Sequence, residues 1–259
     1  MAKHIGLVNW SGHKNLGDDA MTKILKQRFP RATNMGERPQ FADAYILGGG
    51  TLISPNSLYP GRINPEKTIG FSLGVSSNWN GEWLEILKRM KKIYVRDFFS
   101  YRKLKQFGVQ CTQSVDLVCA LEIPEPPKVR DGIWANLMYT ECSVNPNLQS
   151  EIDFVKKELG GREVNYFAMS PVEDIGTVFQ AAVYGDAKTL LSDLSTAETI
   201  YTTRLHAAIL AWMSGCKDIR YIDYDPKIEH FRERVKGLTP KQAYNIVHRD
   251  LDDLCALVS

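Results

Sequence analysis

The chain contains 259 residues, of which 44% are hydrophobic and 24% are charged. This composition excludes a disordered chain and a fibrous repeat, and the length fits one large domain or two small ones. The formal net charge of +2 is too small to indicate nucleic acid or an anionic membrane as the main partner, although it is compatible with a local basic face. The favoured partner is therefore a small molecule or a sugar.

The sequence predicts neither disulfide bonds nor a metal site. The cysteines are scattered and odd in number, which is typical of a reducing compartment: Cys111, Cys119, Cys142, Cys216 and Cys255. Neither these cysteines nor the histidines outside position 206 show metal-ligand spacing. The N-terminus has no signal-peptide pattern, and no apolar run approaches about 18 residues, so we predict a cytoplasmic protein without a membrane span.

The first half of the chain alternates between strand and helix patterns. Short apolar runs predict strands at residues 5–9, 44–47, 68–74 and 92–96. Apolar residues at helical spacing predict helices over residues 18–29, 82–91 and 97–107. Gly108 fits the C-terminal cap of the last of these helices. Residues 114–121 complete this half.

Three prolines in residues 122–130 exclude a helix or a central strand there, so this segment is the predicted linker. The alternation then resumes, with strands at 132–137, 163–169, 199–203 and 218–223 and helices over 147–159 and 204–214. The last helix follows a capping box, Thr239-Pro-Lys-Gln242, and its apolar residues share one face: Val247, Leu251, Leu254 and Val258.

Repeated strand–helix units predict an α/β fold with parallel sheets that are covered by helices on both faces. Such sheets bind ligands at the carboxyl ends of their strands, and two halves joined by a linker would bind a ligand between them. The predicted domains span residues 1–125 and 131–238. Residues 239–259 form a helix that we expect to pack back on the N-terminal domain.

Two motifs with glycine come early in the chain. Asn15-Leu-Gly17-Asp18-Asp-Ala20 opens the first helix, and its carboxylates would repel a phosphate, so it either recognises hydroxyl groups or simply caps the helix. Gly48-Gly49-Gly50 follows a strand, where it either brings the backbone close to an anion or forms a tight strand-to-helix turn. Because the triplet is neither a Walker loop nor a complete G-x-G-x-x-G, nucleotide binding does not follow from it.

Two further motifs lie at strands of the same half. Gly70-Phe-Ser72-Leu-Gly74 has the pattern of a nucleophile elbow. Its surroundings differ from those of an α/β-hydrolase, which needs an acidic residue and a histidine in order afterwards, so we interpret it as a backbone-lined turn. Arg96 ends a strand, and it either clamps a carboxylate or phosphate or pairs with Asp97 or Asp116.

The strongest constellation is Tyr201-Thr-Thr-Arg204-Leu-His206-Ala-Ala. Arg204 and His206 follow the predicted strand and lie in the first turn of the next helix. The rest of this helix is apolar, so we expect it to be buried. The positive helix end keeps His206 neutral and able to accept a proton, while free N–H groups and Arg204 would hold an anion. A structural histidine near a helix start is the alternative. Lys227, at the start of the next helix, is either a second cation of this site or an exposed lysine.

These motifs occur in one order along residues 5–231, and Arg204-Leu-His206-Ala is followed by Tyr224-Asp225-Pro-Lys227. Together with Val95-Arg96-Asp97-x-x-Ser100, they resemble the polysaccharide pyruvyl transferase family. The resemblance implies a GT-B-like fold, in which two Rossmann-like domains face each other across a cleft. It also implies a metal-independent reaction that uses phosphoenolpyruvate to place a pyruvate ketal on sugar hydroxyls.

The resemblance implies roles for the motif residues. Arg204 and His206 correspond to the donor-binding and catalytic pair, and we expect His206 to move the protons. Donor binding would further use these residues: Arg96, Lys227, Gly48, Gly49, Gly50 and Ser72. Acceptor binding, with a sugar or glycan as the acceptor, is predicted for Asn15 and Asp18. No metal and no cofactor are expected, because phosphoenolpyruvate acts as a co-substrate.

Two other classes of protein stay open. A metal-independent GT-B glycosyltransferase would use a nucleotide sugar and modify a glycan or a hydroxylated DNA base, and nucleic acid is a partner only in that case. A non-catalytic binding protein would keep the cleft without the reaction. The intact pair of Arg204 and His206 argues against that last class.

Overall fold

The computed structural model describes residues 3–10, 12–36, 40–55, 62–79, 81–137, 148–170, 181–222 and 226–258. The motif residues Tyr224 and Asp225 and the cysteine Cys142 lie outside these ranges. The chain forms two compact units, and both are discontinuous in sequence. The first unit comprises Met1–His13, Asp18–Ala120 and Glu233–Ser259, and the second comprises Lys14–Gly17 and Leu121–Arg232.

The first unit is built on a six-stranded parallel sheet. Its strands are β1 (Ile5–Val8), β2 (Thr33–Asn34), β3 (Ala44–Ile53), β4 (Thr68–Val75), β5 (Lys92–Val95) and β6 (Thr112–Gln113). They lie in the order β2-β1-β3-β4-β5-β6, so the order changes direction between β1 and β3. This is the strand order of a flavodoxin-like sheet.

Three helices connect these strands: α1 (Leu16–Arg28), α2 (Gly81–Arg89) and α3 (Phe98–Gln106). Asp97 caps α3 because its Oδ1 accepts the Ser100 N–H at 2.7 Å. Gly108 follows the helix with a φ of 74°, as expected for a C-terminal cap. Trp83 of α2 and Leu104 of α3 are fully buried and join the apolar strand residues in one core cluster.

The second unit holds a five-stranded parallel sheet. Its strands are β7 (Ile133–Asn136), β8 (Val164–Ala168), β9 (Ala182–Val183), β10 (Thr199–Thr202) and β11 (Asp218–Tyr221). They lie in the order β11-β10-β7-β8-β9, and the direction changes between β7 and β10. When the strands are numbered from 1 within the unit and read from the β9 edge, this is the order 3-2-1-4-5 of a Rossmann sheet.

The helices after the linker are α4 (Leu148–Leu159), α5 (Ala187–Leu194), α6 (Leu205–Met213) and α7 (Pro226–Val235). The α6 helix is apolar on all sides after its first turn, and most of its side chains are fully buried. A helix of that composition is stable only inside the protein, as its sequence predicts. Val155 and Leu159 of α4 pack with Ile133 and Ala135 of β7.

The last helix, α8 (Pro240–Val258), belongs to the first unit. It begins at the predicted capping box, in which the Gln242 N–H donates to Thr239 Oγ1 at 3.2 Å and the Thr239 N–H donates to Gln242 Oε1 at 2.7 Å. The predicted apolar face is buried, with relative exposures of 3% or less: Val247, Leu251, Leu254 and Val258.

Polar contacts also tie α8 to the first unit. The Ser114 hydroxyl donates to Asp250, which is 3% exposed, at 2.6 Å. The Tyr94 hydroxyl of β5 donates to Asp253. Burial, reinforced by that carboxylate, raises the pKa of Tyr94, so the hydroxyl keeps its proton and remains a donor.

The parallel α/β architecture confirms the predicted fold class, but three local predictions are wrong or incomplete. The glycine triplet does not end a strand, because β3 runs through it to Ile53 with an irregular register after Gly50. The segment at 114–121 contains a short 3-10 helix, Leu117–Ala120. The helix α5 was not predicted, although Asp186 caps it and its leucines face the core. No helix in the described part of the chain is long and apolar enough to cross a membrane.

Candidate functional site

Each sheet changes the direction of its strand order at one place, and at each of these places lies one of the predicted motifs. In the first unit, the chain leaves β1 at Asn9, and Gly48–Gly50 lie in the neighbouring β3. In the second unit, Asn136 ends β7, and Arg204 follows β10. Open α/β sheets bind ligands beyond the carboxyl ends of their strands at such points, so the two regions are the candidate sites of their units.

Arg204 and His206 stand at the N-terminal end of α6, as predicted. Arg204 is the N-cap residue, and His206 is the second residue of the helix. Arg204 provides no side-chain capping hydrogen bond, and the first turn contains no acidic residue. The Arg204 N–H donates to Thr202 Oγ1 at 3.2 Å, which fixes the turn between β10 and the helix. The partial positive charge of the helix end is therefore not offset by a carboxylate of that turn, and it favours an anion.

The imidazole of His206 lies directly on the backbone of Gly17. A Cβ atom at Gly17 would be 2.0 Å from His206 Nδ1 and 2.2 Å from Cγ, so glycine is the residue that leaves room for the ring. The Nε2 atom of His206 is buried. Asn15 Oδ1 accepts the Gly17 N–H at 3.2 Å, and the Leu16 N–H donates to Met169 O at 2.8 Å. Two predicted motifs from distant parts of the sequence thus meet within the second unit.

Asn136 holds the turn that carries Arg204. The Thr203 N–H and hydroxyl donate to Asn136 O at 3.1 and 3.3 Å. The Asn136 side chain donates from Nδ2 to Phe167 O at 3.0 Å, and Asn136 is fully buried. The carboxyl ends of β7, β8 and β10 are therefore tied together. This residue was not predicted from the sequence, although an asparagine at the end of an apolar strand was a usable signal.

Lys227 is the second residue of α7, which follows β11 as predicted. It is half-buried, and it belongs to the second unit with Arg204 and His206. Its role as a second cation stays a prediction.

In the first unit, the glycine triplet serves the packing of α1 on β3. A Cβ atom at Gly49 would be 2.8 Å from Met21 Sδ, and one at Gly50 would be 3.4 Å from Asp18 Oδ1. Gly49 and Gly50 have φ values of 76° and 93°, which glycine adopts readily. The predicted strand-to-helix turn at the triplet is replaced by this bulged strand. Donor binding by Gly48, Gly49 and Gly50 stays a prediction.

Two residues between β1 and α1 belong to the candidate site of the first unit and were not predicted from the sequence. Asn9 is 4% exposed, and its Nδ2 donates to Thr22 Oγ1 at 3.0 Å. Its Oδ1 is buried and has no hydrogen-bond partner among the described residues. Trp10 is 41% exposed and stacks on His13, with ring centroids 4.0 Å apart and planes at 12°. An unsatisfied buried oxygen and an exposed indole are features that a bound ligand can explain.

Arg96 is held by protein groups. Its Nη1 donates to Asp116 Oδ2 at 3.1 Å, and its Nη2 donates to Thr51 Oγ1 at 2.8 Å. Its Nε lies 3.7 Å from Asp97 Oδ2, and its side chain is only 4% exposed. A Cβ atom on Gly74 would be 2.9 Å from Arg96 Nε, so the guanidinium rests on the backbone of β4. Of the two predicted roles, the structure shows the ion pair, whereas contact with the donor stays a prediction.

Ser72 lies inside β4, so the predicted turn at Gly70–Gly74 is wrong. Its φ of 55° is unusual for a residue with a side chain, as in a nucleophile elbow. Its Oγ, however, accepts the Leu117 N–H at 2.8 Å and lies 3.5 Å from Val115 O, and the residue is fully buried. The hydroxyl therefore holds a neighbouring loop, and the donor-binding role of Ser72 stays a prediction.

Two parallel, doubly wound sheets, each with one change of direction in its strand order, are the architecture of a GT-B-like α/β protein. The sequence pattern described as polysaccharide pyruvyl transferase matches residues 15–226, which is most of the chain. The protein therefore belongs to the polysaccharide pyruvyl transferase family. Comparison with curated protein sequences finds no match.

Solved structures share the fold at low sequence identity. A functionally uncharacterised protein from Klebsiella pneumoniae subsp. pneumoniae NTUH-K2044 has a TM-score of 0.54 at 16% identity, with 89% of this chain and 87% of that chain covered. The wall teichoic acid polymerase TagF, soaked with CDPG, has a TM-score of 0.51 at 9% identity, with 97% and 90% covered. An α-glucosyltransferase in complex with UDP and a 13-mer DNA has a lower TM-score of 0.45 at 9% identity, with 99% of this chain and 91% of that chain covered. The first two structures support the fold alone.

Proposed function

We propose that this protein transfers the enolpyruvyl group of phosphoenolpyruvate to hydroxyls of a sugar or glycan and closes a pyruvate ketal. The observation that carries the proposal is the contact of His206 with Gly17, because it joins two of the motifs that carry the family resemblance. Membership of the pyruvyl transferase family supports the same reaction.

The second unit offers groups that suit the donor. Phosphoenolpyruvate carries a carboxylate and a phosphate, and the N-terminal end of α6 attracts anions. The guanidinium of Arg204 can bind either group through two parallel hydrogen bonds. Lys227 supplies a second cation in this proposal. No metal ion and no cofactor are invoked.

The reaction proceeds by proton transfers at the donor. A proton adds to the methylene carbon, and the neighbouring carbon becomes an oxocarbenium-like centre. A sugar hydroxyl adds to this centre and loses its proton, inorganic phosphate leaves, and a second hydroxyl adds and loses its proton to close the ketal. We assign the proton exchange to His206, because an imidazole can both accept and donate a proton near neutral pH. Asn15 and Asp18 are assigned to the acceptor hydroxyls.

Donor identity is tested by thermal shift. Phosphoenolpyruvate should raise the Tm of the wild-type protein, because a ligand that binds only the folded state stabilises it. The shift should disappear in Arg204→Gln and persist in Arg31→Gln, which removes an exposed arginine. Stabilisation by a nucleoside diphosphate sugar and none by phosphoenolpyruvate would replace the proposal with a glycosyltransferase.

Catalysis is tested by phosphate release from phosphoenolpyruvate in the presence of a glycan acceptor. His206→Ala should lose about 100-fold or more in rate while keeping its circular dichroism spectrum. The control His4→Ala removes an exposed histidine that bonds Thr33, and it should retain the rate. Full activity of folded His206→Ala would refute the role of His206.

A further inference from the structure

The loop after β1 carries an indole that is exposed to solvent. Trp10 is 41% exposed, whereas the other tryptophans of the chain are buried or half-buried. The ring of His13 stacks on Trp10 with centroids 4.0 Å apart and planes at 12°, so it covers one face of the indole. The surface that stays exposed is largely apolar, and it gains free energy when a flat apolar group covers it.

Asn9, the residue before this indole, has a buried oxygen without a hydrogen bond. Its Nδ2 donates to Thr22 Oγ1 at 3.0 Å, and the Thr22 hydroxyl donates to Asp18 O at 3.0 Å. Because the single hydroxyl proton of Thr22 is used, Asn9 must offer its NH2 group to Thr22, and its Oδ1 is directed elsewhere. This Oδ1 is buried and has no partner among the described residues. A buried carbonyl without a donor costs free energy, so a donor from outside the chain would stabilise it.

Two carboxylates of α1 lie near this loop in the same unit. Asp19 Oδ1 accepts the Gly12 N–H at 3.3 Å and so helps to hold the loop that carries the indole. A Cβ atom on Gly50 would lie 3.4 Å from Asp18 Oδ1, which places that carboxylate beside the neighbouring strand β3. Carboxylate oxygens accept hydrogen bonds from hydroxyl groups and repel a phosphate. The region therefore suits a neutral ligand that is rich in donors.

We propose that Asn9 and Trp10 form a subsite for a sugar ring of the acceptor. The loop lies at the carboxyl end of β1, where the strand order changes direction and where ligands of such sheets bind. A pyranose has a flat face of C–H groups, which can cover the indole, and a rim of hydroxyl groups, which can donate to Asn9 Oδ1 and to the carboxylate of Asp18. Because Asn9 Oδ1 is buried, a small movement of the loop must accompany binding.

This inference rests on the proposed function, because the acceptor of that reaction is a sugar or glycan. It adds a requirement on the acceptor, which must present a pyranose ring with an open C–H face. A nucleobase would also stack on an indole and donate N–H groups, but a nucleotide carries phosphates that the carboxylates of α1 repel. The sugar ring is therefore the favoured occupant of the loop.

The test uses methyl glycosides that differ in ring configuration: methyl β-D-galactopyranoside, methyl β-D-glucopyranoside and methyl α-D-mannopyranoside. At least one should protect the tryptophan emission from acrylamide quenching, because it covers the exposed indole of Trp10. The protection should be absent in Trp10→Phe, which assigns the signal to this residue. Sorbitol has hydroxyl groups but no ring face, so it should give no protection. Protection by none of the glycosides, or equal protection by sorbitol, would overturn the proposal.

Saturation-transfer NMR measures the affinity of the variants for the glycoside that binds. Trp10→Ala should lose about tenfold in affinity. Asn9→Leu should lose about fivefold but keep its Tm, because it removes the unsatisfied oxygen together with the desolvation cost. The control Phe41→Ala removes a 77% exposed ring of the same unit and should bind like the wild type. Unchanged affinity in folded Trp10→Ala, an equal loss in the control, or a loss of stability without a loss of affinity in Asn9→Leu would contradict the subsite.

Phosphoenolpyruvate separates this inference from the proposed reaction. Trp10→Ala should keep the Tm shift that phosphoenolpyruvate causes, since Trp10 is not assigned to the donor. Glycoside binding without any effect of phosphoenolpyruvate would support the subsite and refute the reaction. A Tm shift with phosphoenolpyruvate and no glycoside binding would refute the subsite alone. Uridine that binds through Trp10 in place of every glycoside would assign the loop to a nucleobase and overturn the proposal.

Discussion

Glycine positions decide which side chains can approach the backbone in this protein. Gly17 leaves room for the imidazole of His206, and Gly74 leaves room for the guanidinium of Arg96. The motifs that contain these residues were recognisable in the sequence. Their contacts were not, because no periodicity or propensity relates residues so far apart in the chain. The residues of the candidate site could therefore be predicted from the sequence, whereas their spatial arrangement is seen only in the structure.

The contact of Gly17 with His206 predicts the effect of one added methyl group. Gly17→Ala should displace the imidazole and lower the free energy of unfolding by about 1–3 kcal/mol, because the new Cβ overlaps the ring. Gly81→Ala, at the start of α2, meets no atom within 4 Å and should be neutral or slightly stabilising. Urea unfolding measures both variants. Equal stability of the two variants would contradict the packing described.

The buried pair of Arg96 and Asp116 predicts a larger loss. Arg96→Met should destabilise the protein by about 3–5 kcal/mol, because it leaves a buried carboxylate without its cation. Arg89→Met breaks the exposed pair with Glu66 and should cost about 1 kcal/mol or less. Chemical unfolding of both variants is the measurement. If Arg96→Met were as stable as the wild type and lost only phosphoenolpyruvate binding, Arg96 would be a donor-binding residue.

At the scale of elements, prediction succeeded where local chemistry decides the structure. The capping box of α8 and its apolar stripe were readable, since both depend on residues three or four positions apart. The bulges in β3 and β4 were not readable, because the register shifts respond to neighbouring strands and to α1. The edge strands β2, β6 and β9 have two residues each, too few to show a pattern.

The capping box gives a prediction for α8. Thr239→Ala removes the hydroxyl that accepts the Gln242 N–H, so it should lower the free energy of unfolding by about 1 kcal/mol. Thr239→Ser keeps the hydroxyl and should change stability much less. Thermal unfolding of the two variants at one pH distinguishes them. A loss of equal size in both variants would show that the hydrogen bond is not the cause.

Across the whole molecule, the alternation of strands and helices was sufficient to predict two parallel sheets. The division into units was harder, because residues 14–17 group with the second unit and residues 233–259 with the first. Composition marks a proline-rich linker but does not show which core a distant segment joins.

The thiols give a prediction for the whole molecule. Burial raises the pKa of four thiols, most strongly for Cys119, where Asp116 adds to the effect: Cys111, Cys119, Cys216 and Cys255. A raised pKa reduces the thiolate fraction. The four remaining thiols of the Cys142→Ser variant should therefore react slowly with a disulfide reagent in the native protein at pH ~8 and quickly in denaturant. Rapid reaction of all four thiols in the native protein would contradict this.

The place of α8 in the first unit affects how the protein folds during synthesis. The ribosome completes residues 121–232 of the second unit before it makes Leu251 and Leu254, which fill the core of the first unit. Until then, the hydroxyls of Tyr94 and Ser114 lack their acceptors, because the carboxylates of α8 to which they donate have not been translated. The part of the chain that is made first is thus finished last, and a nascent chain that stops before α8 leaves the first unit's apolar surface open to chaperones and proteases.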